Sequence, residues 1–337
     1  MNAAAAIVIL VVLLAGPLIL APLERNLEAY CFIIGVIAVT VARRWQWPLV
    51  EQALREPVLI SVVVVVAGIL FGFTRGAFDH LFQRLRRRIS RAPLTALAVL
   101  IIAMLSSLIT AIVAALVLVE MIGLVRLEPA RRIRVIVVGC FAIGLGAALT
   151  PVGEPLATLV AGAMDLRFWG LFDLLAPYVI PGVVAASLLA GVLARGDYDE
   201  TAVATRVREG VGAAALQGVK VFVFIAGLVL ISDAYAPLAE HYMTMVSRPA
   251  LFWINMVSAA LDNATLVALE IHHMEQARAI EALMSLLISG GMLIQGNIPN
   301  IVSAGIFRIT SIRWARVGVP LGLLLLGIYF AVFMTLG

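Results

Sequence analysis

Leu149-Thr150-Pro151-Val152-Gly153-Glu154-Pro155 interrupts an apolar run that extends from residue 133 to 164. The run is long enough to cross a bilayer, since about 20 residues of helix span ~30 Å of hydrocarbon. Pro removes a backbone donor and Gly relaxes φ, so the helix must break in its middle. Polar groups at such a depth are expensive in lipid unless they serve a purpose. A break leaves carbonyls at one half-helix end and N–H groups at the other. That arrangement suits a desolvated ion. A second break stands in the run 279–307, as Gln295-Gly296-Asn297-Ile298-Pro299-Asn300. In each run a Gly leads by four residues into the break, Gly146 into Thr150 and Gly291 into Gln295, which matches Thr150 with Gln295.

The rest of the chain is consistent with a membrane setting. Its 337 residues are 63% hydrophobic and 13% charged, with a mean hydropathy of +1.09. Soluble domains run near half apolar and about a quarter charged, and their surface-to-volume ratio cannot hide this much apolar surface. Further apolar runs lie at 3–22, 28–42, 57–74, 94–125, 168–194, 218–236, 250–271 and 317–336. None alternates as barrel strands do. The expected fold class is an all-α polytopic membrane protein in the cytoplasmic (inner) membrane. No Lys or Arg precedes the first run, so it reads as a retained span rather than a signal peptide. Cys31 and Cys140 are isolated in apolar runs and read as packing residues. The net charge of +4 comes from Arg in short loops, which the positive-inside rule explains better than nucleic acid does.

Those arginines set the topology. Arg75, Arg84, Arg86, Arg87, Arg88 and Arg91 precede the run 94–125, and Arg126, Arg131, Arg132 and Arg134 follow it. Both basic loops belong in the cytoplasm, so the run must enter and return. We expect a re-entrant hairpin of two half-depth arms with its tip near Ser106, Ser107 and Thr110. A second hairpin at 250–271 then puts Arg308, Arg313 and Arg316 inside as well. The expected plan has about eight transmembrane helices and two hairpins. Two peripheral spans occupy 1–56, a first repeat 57–195, a cytoplasmic linker 196–217, and a second repeat of opposite topology 218–337. Inverted repeats of this kind are common among secondary transporters. The misfit is the loop 43–56, which falls outside although it carries Arg43, Arg44 and Arg55. The segment from Phe78 to Arg88 reads as a basic amphipathic stretch on the cytoplasmic leaflet.

Several residues stand out as candidates for binding. Asp262, with Asn263 and Thr265, lies at the expected tip of the second hairpin. A carboxylate there can exchange a proton for a metal cation, or cap a helix. Glu154 is the second candidate carboxylate for the transported cation, beside a helix-compensating role. Asn297 and Asn300 flank Pro299, and amide oxygens ligate cations while amide NH₂ groups hold carbonyls. Thr150, Gln295, Ser106, Ser107 and Thr110 complete the set. Ser106 and Glu120 are paralleled by Ser258 and Glu270, but both glutamates and Asp233 fall near run ends and read as interfacial. His272 and His273 point to different sides of a helix and do not form a metal site. No cofactor is expected.

With those motifs, the chain resembles the ion transporter superfamily, in its arsenite-permease and NhaD-type sodium/proton antiporter branch. It is also similar to a prokaryotic family of predicted cation transporters. The resemblance rests on Leu261-Asp262-Asn263-Ala264-Thr265, Gly296-Asn297-Ile298-Pro299-Asn300 and Leu149-Thr150-Pro151-Val152-Gly153-Glu154-Pro155, and covers residues 57–336. It implies hairpin tips and unwound helices around a central site, and it leaves room for a homodimer. Many relatives carry Asn or Asp where this chain has Ser106, Ser107 and Thr110. The function expected is secondary transport of a small inorganic cation, Na⁺ against H⁺. The alternative is an anion carrier for arsenite or a carboxylate, driven by Na⁺ or not. No Gly-x-Gly-Asp, Ser/His pair or His-Glu-x-x-His motif supports an intramembrane enzyme.

Overall fold

The computed structural model of the chain describes residues 3–20, 22–23, 26–58, 61–62, 65–66, 69, 89–125, 127–196, 211–243, 247–256 and 276–336. Among these residues the secondary structure is helical, without strands. The helices are α1 (Ala3–Ile19), α2 (Leu27–Ala42), α3 (Arg91–Ile109), α4 (Ala111–Val125), α5 (Pro129–Ala147), α6 (Pro155–Ala163), α7 (Gly170–Leu193), α8 (Val211–Met243), α9 (Arg248–Ile254), α10 (Gln276–Gly290), α11 (Ile298–Phe307) and α12 (Ser311–Leu336). Residues 47–58 are helical too. Four helices among the described residues are long and apolar enough to cross a membrane: Arg91–Ile109, Gly170–Leu193, Gly218–Leu238 within α8, and Ser311–Thr335 within α12. Their outer faces suit lipid. Leu97, Ile101, Leu105 and Leu108 of α3, and Val184, Leu188 and Val192 of α7, are exposed stripes at helical spacing.

Local chemistry sets the helix ends. Proline occupies the first turn of α5, α6, α9 and α11, where its missing N–H costs nothing. Arg43 and Arg308 close α2 and α11 in the left-handed conformation. Pro177 and Pro181 inside α7, Pro237 inside α8 and Pro320 inside α12 are carried within long helices, as membrane helices tolerate.

Between α3 and α4 the chain reverses at Thr110, whose φ of 73° is uncommon for a β-branched residue. Contacts give the directions. Arg91, at the start of α3, donates to the carbonyl of Gly196 just past α7 at 3.4 Å. Arg131, at the start of α5, packs against the same glycine. Ala103 lies against Gly146, so α3 and α5 run side by side in the same sense. Leu118 lies against Gly139, so α4 returns along α5. The two basic ends therefore share one face, which we call the arginine face. α3 is longer than a half-depth arm: its 19 residues measure about 28 Å at 1.5 Å each.

α11 runs opposite to α5. Asn297 abuts Gly144, Pro299 and Ser303 flank Cys140, and the Phe307 ring lies 4.9 Å from the Arg132 guanidinium. The helix thus ends at the arginine face, where α5 begins. α12 then turns back, antiparallel to α7, with Tyr329 donating to the Tyr178 carbonyl at 2.6 Å. Phe168, Trp169 and Phe172 cluster at the start of α7, on the far face, as interfacial aromatics do.

α2 and α8 lie parallel and touch at a glycine pair. A Cβ on Gly35 would fall 2.6 Å from the Gly227 carbonyl oxygen. One on Gly227 would fall 2.6 Å from the Phe32 nitrogen. Such small-residue contacts let backbones approach closely. Ion pairs mark both ends, Lys220–Glu28 at 2.6 Å and Arg44–Asp233 at 2.8 Å. α1 joins this pair through Tyr235, which donates to the Ala6 carbonyl at 2.7 Å. Of the three arginines that fitted poorly outside, two have carboxylates near them: Arg44 pairs with Asp233, and Arg55 lies 3.7 Å from Glu51.

Candidate functional site

The two helix breaks, 148–154 and 291–297, are equal in length and share one hydrogen-bond pattern. Ala148 N–H donates to Leu145 O at 3.3 Å, and 143 positions later Gly291 donates to Ile288 O at 3.1 Å. Leu149 to Gly146 O at 3.2 Å recurs as Met292 to Ser289 O at 3.0 Å. Gly153 to Thr150 O recurs as Gly296 to Leu293 O, both at 3.3 Å. Each break then ends on an extended N-cap residue, Glu154 (φ −155°, ψ 157°) and Asn297 (φ −156°, ψ 147°).

This register corrects the sequence matching. Thr150 corresponds to Leu293, Gln295 to Val152, and Glu154 to Asn297. Gly146 and Gly291 do different jobs, which is why aligning them misleads. Gly146 lets the α3 backbone approach at Ala103, and Gly291 makes room for the Phe141 ring, 2.5 Å from where a Cβ would stand.

The first break is tied to the reversal between α3 and α4. Ala111 N–H donates to Gly153 O at 2.8 Å. The Thr150 hydroxyl donates to the Ser107 carbonyl. Ser106 Oγ lies 2.6 Å from Ala103 O and 3.2 Å from Ile143 O. Ser107 donates to Met104 O at 2.9 Å. Thr110 is the reversal itself, and its hydroxyl accepts from Val113 N–H at 3.5 Å. Ser106, Ser107, Thr110, Thr150 and Glu154 are therefore brought together. The depth is central, since Leu145 packs beside Gly182, halfway along α7.

Glu154 is buried, 8% exposed, and its Oε1 has no hydrogen-bond partner. It makes no side-chain cap bond to α6. Thr158 steadies the same break by donating to Pro151 O.

The second break is stapled by Asn300. This residue is fully buried, and its Nδ2 donates to Gly290 O and Leu293 O, at 2.8 Å each. Its Oδ1 has no partner. Gln295 is buried in the short 3₁₀ turn Ile294–Gly296. Asn297 lies against Gly144 on α5, which brings the second break to the first broken helix. Asp262, Asn263 and Thr265 lie outside the described residues, as do Ser258, Glu270, His272 and His273. So does the segment from Phe78 to Arg88.

Other candidates have structural partners. Asp233 forms a two-point pair with Arg44, at 2.8 and 3.1 Å. Cys31 and Cys140 are buried and unpaired as thiols, with Cys140 Sγ 3.3 Å from Ser303 Oγ. No group of three or more His, Cys, Asp or Glu side chains able to hold a metal occurs among the described residues.

Sequence reasoning passed over Glu281, Ser285 and Ser289, which are 3%, 0% and 0% exposed. Their spacing of four was the available signal, since it places polar groups on one face of an apolar helix. Buried Asn255, which follows α9, donates to Ser285 Oγ at 3.0 Å.

Chemically the breaks are rich in oxygen acceptors. The serine and threonine hydroxyl protons go to main-chain carbonyls, which turns lone pairs outward. Glu154 Oε1 and Asn300 Oδ1 lack donors. Acceptors of this kind can hold a cation or a proton. No curated protein matches the chain. Residues 3–336 match the model of a family described as a protein of unknown function (DUF1646), and the chain belongs to that family.

Proposed function

We propose that this protein is a secondary active transporter that exchanges small cations, Na⁺ against H⁺, across the cytoplasmic membrane. One observation carries the reading. Two antiparallel broken helices share a backbone pattern, and beside each break a buried side-chain oxygen lacks a donor, Glu154 Oε1 in one and Asn300 Oδ1 in the other. An unpartnered buried oxygen costs free energy, roughly 1–3 kcal/mol or more for a carboxylate. A bound cation or proton would recover it.

The breaks support a plan of two repeats with inverted topology, about eight crossing helices and two re-entrant hairpins. The α3–α4 reversal is the first hairpin in this plan, and 250–271 the second. Glu154 is one coupling carboxylate. Asp262 is the other, on the strength of its setting in an apolar run. H⁺ and a metal cation compete for these carboxylates, and alternating access turns that competition into exchange.

One feature favours the anion alternative. The N-terminal ends of α6 and α11 bring positive dipole ends to the breaks. Against it, the α6 end already holds an acidic side chain. The deciding experiment is Na⁺-driven proton movement in proteoliposomes with a trapped pH dye. A Na⁺-dependent pH change that is lost in Asp262→Asn and Glu154→Gln is expected. Folded protein that ignores Na⁺, Li⁺ and K⁺ but takes up arsenite or a carboxylate would replace this reading with the other.

A further inference from the structure

The second broken helix carries something the first lacks. On α10, Glu281, Ser285 and Ser289 recur every four residues, so they form one stripe along the helix, and all three are buried. The matching positions on α5 are Val138, Ala142 and Gly146, which are apolar and packed. The fold of the repeat therefore does not demand a polar stripe here. An ionisable side chain within an apolar span, as Glu281 is here, marks ion and proton paths, while serines alone also serve helix packing.

The hydroxyls are oriented. Ser285 donates to Ala282 O at 2.8 Å and Ser289 to Leu286 O at 3.0 Å. Each hydroxyl hydrogen is thus spent on its own helix, which leaves the oxygens as acceptors, and Ser285 Oγ takes one bond from Asn255 Nδ2 at 3.0 Å. Asn255 approaches Ser285 from the chain after α9. At its inner end the stripe meets the break. Ser289 precedes Gly290, whose carbonyl accepts from Asn300 Nδ2, and the fully buried Asn300 Oδ1 there has no partner. Its outer end points away from the arginine face. The ring of Phe252 of α9, three residues before Asn255, packs against those of Phe330 and Phe333 near the far end of α12, with centroids 5.6 and 6.1 Å apart.

We propose that the Glu281–Ser285–Ser289 stripe is the passage by which cations reach the second break from the face opposite the arginines, with Glu281 the carboxylate that admits them. The direction of the passage stands on the geometry. Its cation preference rests on the reading of the protein as a cation carrier.

The test uses single cysteines in the full-length protein, in membrane vesicles of both orientations. Background from the buried Cys31 and Cys140 is measured on the unaltered chain. Ser285→Cys and Ser289→Cys should react with membrane-impermeant methanethiosulfonates added at the face opposite the arginines, and Ala142→Cys should not. A cationic reagent should react faster than an anionic one. Silence at both serine positions from both faces, or reaction only from the arginine face, would overturn the passage whichever ion the protein moves. Equal rates for both reagents would overturn its cation preference alone. Should either cysteine variant fail to elute as a folded species, Glu281→Gln gives an independent reading. It should raise the KM for Na⁺ supplied from the far face severalfold and leave the other face unchanged, and equal effects from both faces would refute the role of Glu281.

Discussion

Removing the staple at the second break gives a sharp prediction. Asn300 donates two hydrogen bonds of 2.8 Å, one to Gly290 O and one to Leu293 O, and the side chain is fully buried. Asn300→Ala deletes both donors: it strands the Gly290 carbonyl away from water and leaves the Leu293 carbonyl with the Gly296 N–H alone. A stranded carbonyl costs roughly 1–3 kcal/mol, so the variant should lose about 1–3 kcal/mol. The first break supplies an internal comparison. Thr158 Oγ1 faces Pro151 O and, at 3.3 Å, Glu154 O, but it has one hydrogen to give. Thr158→Ala should therefore cost about half as much or less. Thermal melting in detergent, read by loss of the folded gel-filtration peak, measures both. A fall of at least about 2 °C is expected for Asn300→Ala, at roughly 2 °C per kcal/mol in a chain of this size, with a smaller fall for Thr158→Ala. Melting of Asn300→Ala within a degree of wild type, or a ranking in reverse, would refute the reasoning that the amide holds the break closed.

Three further outcomes follow from single contacts. Glu154→Gln keeps the size of a buried side chain whose Oε1 lacks a donor, so its melting should stay near wild type while Na⁺-driven flux is lost. A large drop in melting would recast Glu154 as a structural residue. Gly227→Ala puts a methyl 2.6–2.7 Å from the Phe32 backbone, which should cost about 1–3 kcal/mol. Gly212→Ala, where a Cβ meets nothing within 4 Å, should be neutral or stabilising. Equal melting of the two would remove the close crossing of α2 and α8 from the account. For Arg44 and Asp233, whose side chains are 33% and 20% exposed, a double-mutant cycle on melting should return a coupling near ~1 kcal/mol. A coupling of zero would leave Arg44 without compensation.

Much of the helical layout could be read before the structure, because lipid-length apolar runs and their breaks are written in composition. Pro151 and Gly153, and Gly296 and Pro299, announce that two helices stop inside apolar sequence. The apolar run 94–125 holds its own interruption: Thr110 takes a positive φ, and the N–H of Ala111 turns to Gly153 O instead of continuing the ladder. The register between the breaks was not legible. It lives in turn hydrogen bonds that pair Gly153 with Gly296, whereas the more visible Gly146 and Gly291 reflect different packing neighbours. Arg44 looked misplaced outside the membrane because its partner Asp233 is 189 positions away. The α10 stripe was hidden for a different reason. Three polar residues four apart look sparse along the chain and become a line only when wound into a helix.

Proton release on Na⁺ binding tests the central claim most directly. Purified protein in weakly buffered detergent solution is mixed with Na⁺, and the pH is followed with the same titration on Glu154→Gln. Competition of H⁺ and Na⁺ for the breaks predicts acidification by wild type and fewer protons released per Na⁺ by the variant. No acidification from folded wild-type protein, or identical release by Glu154→Gln, would contradict it.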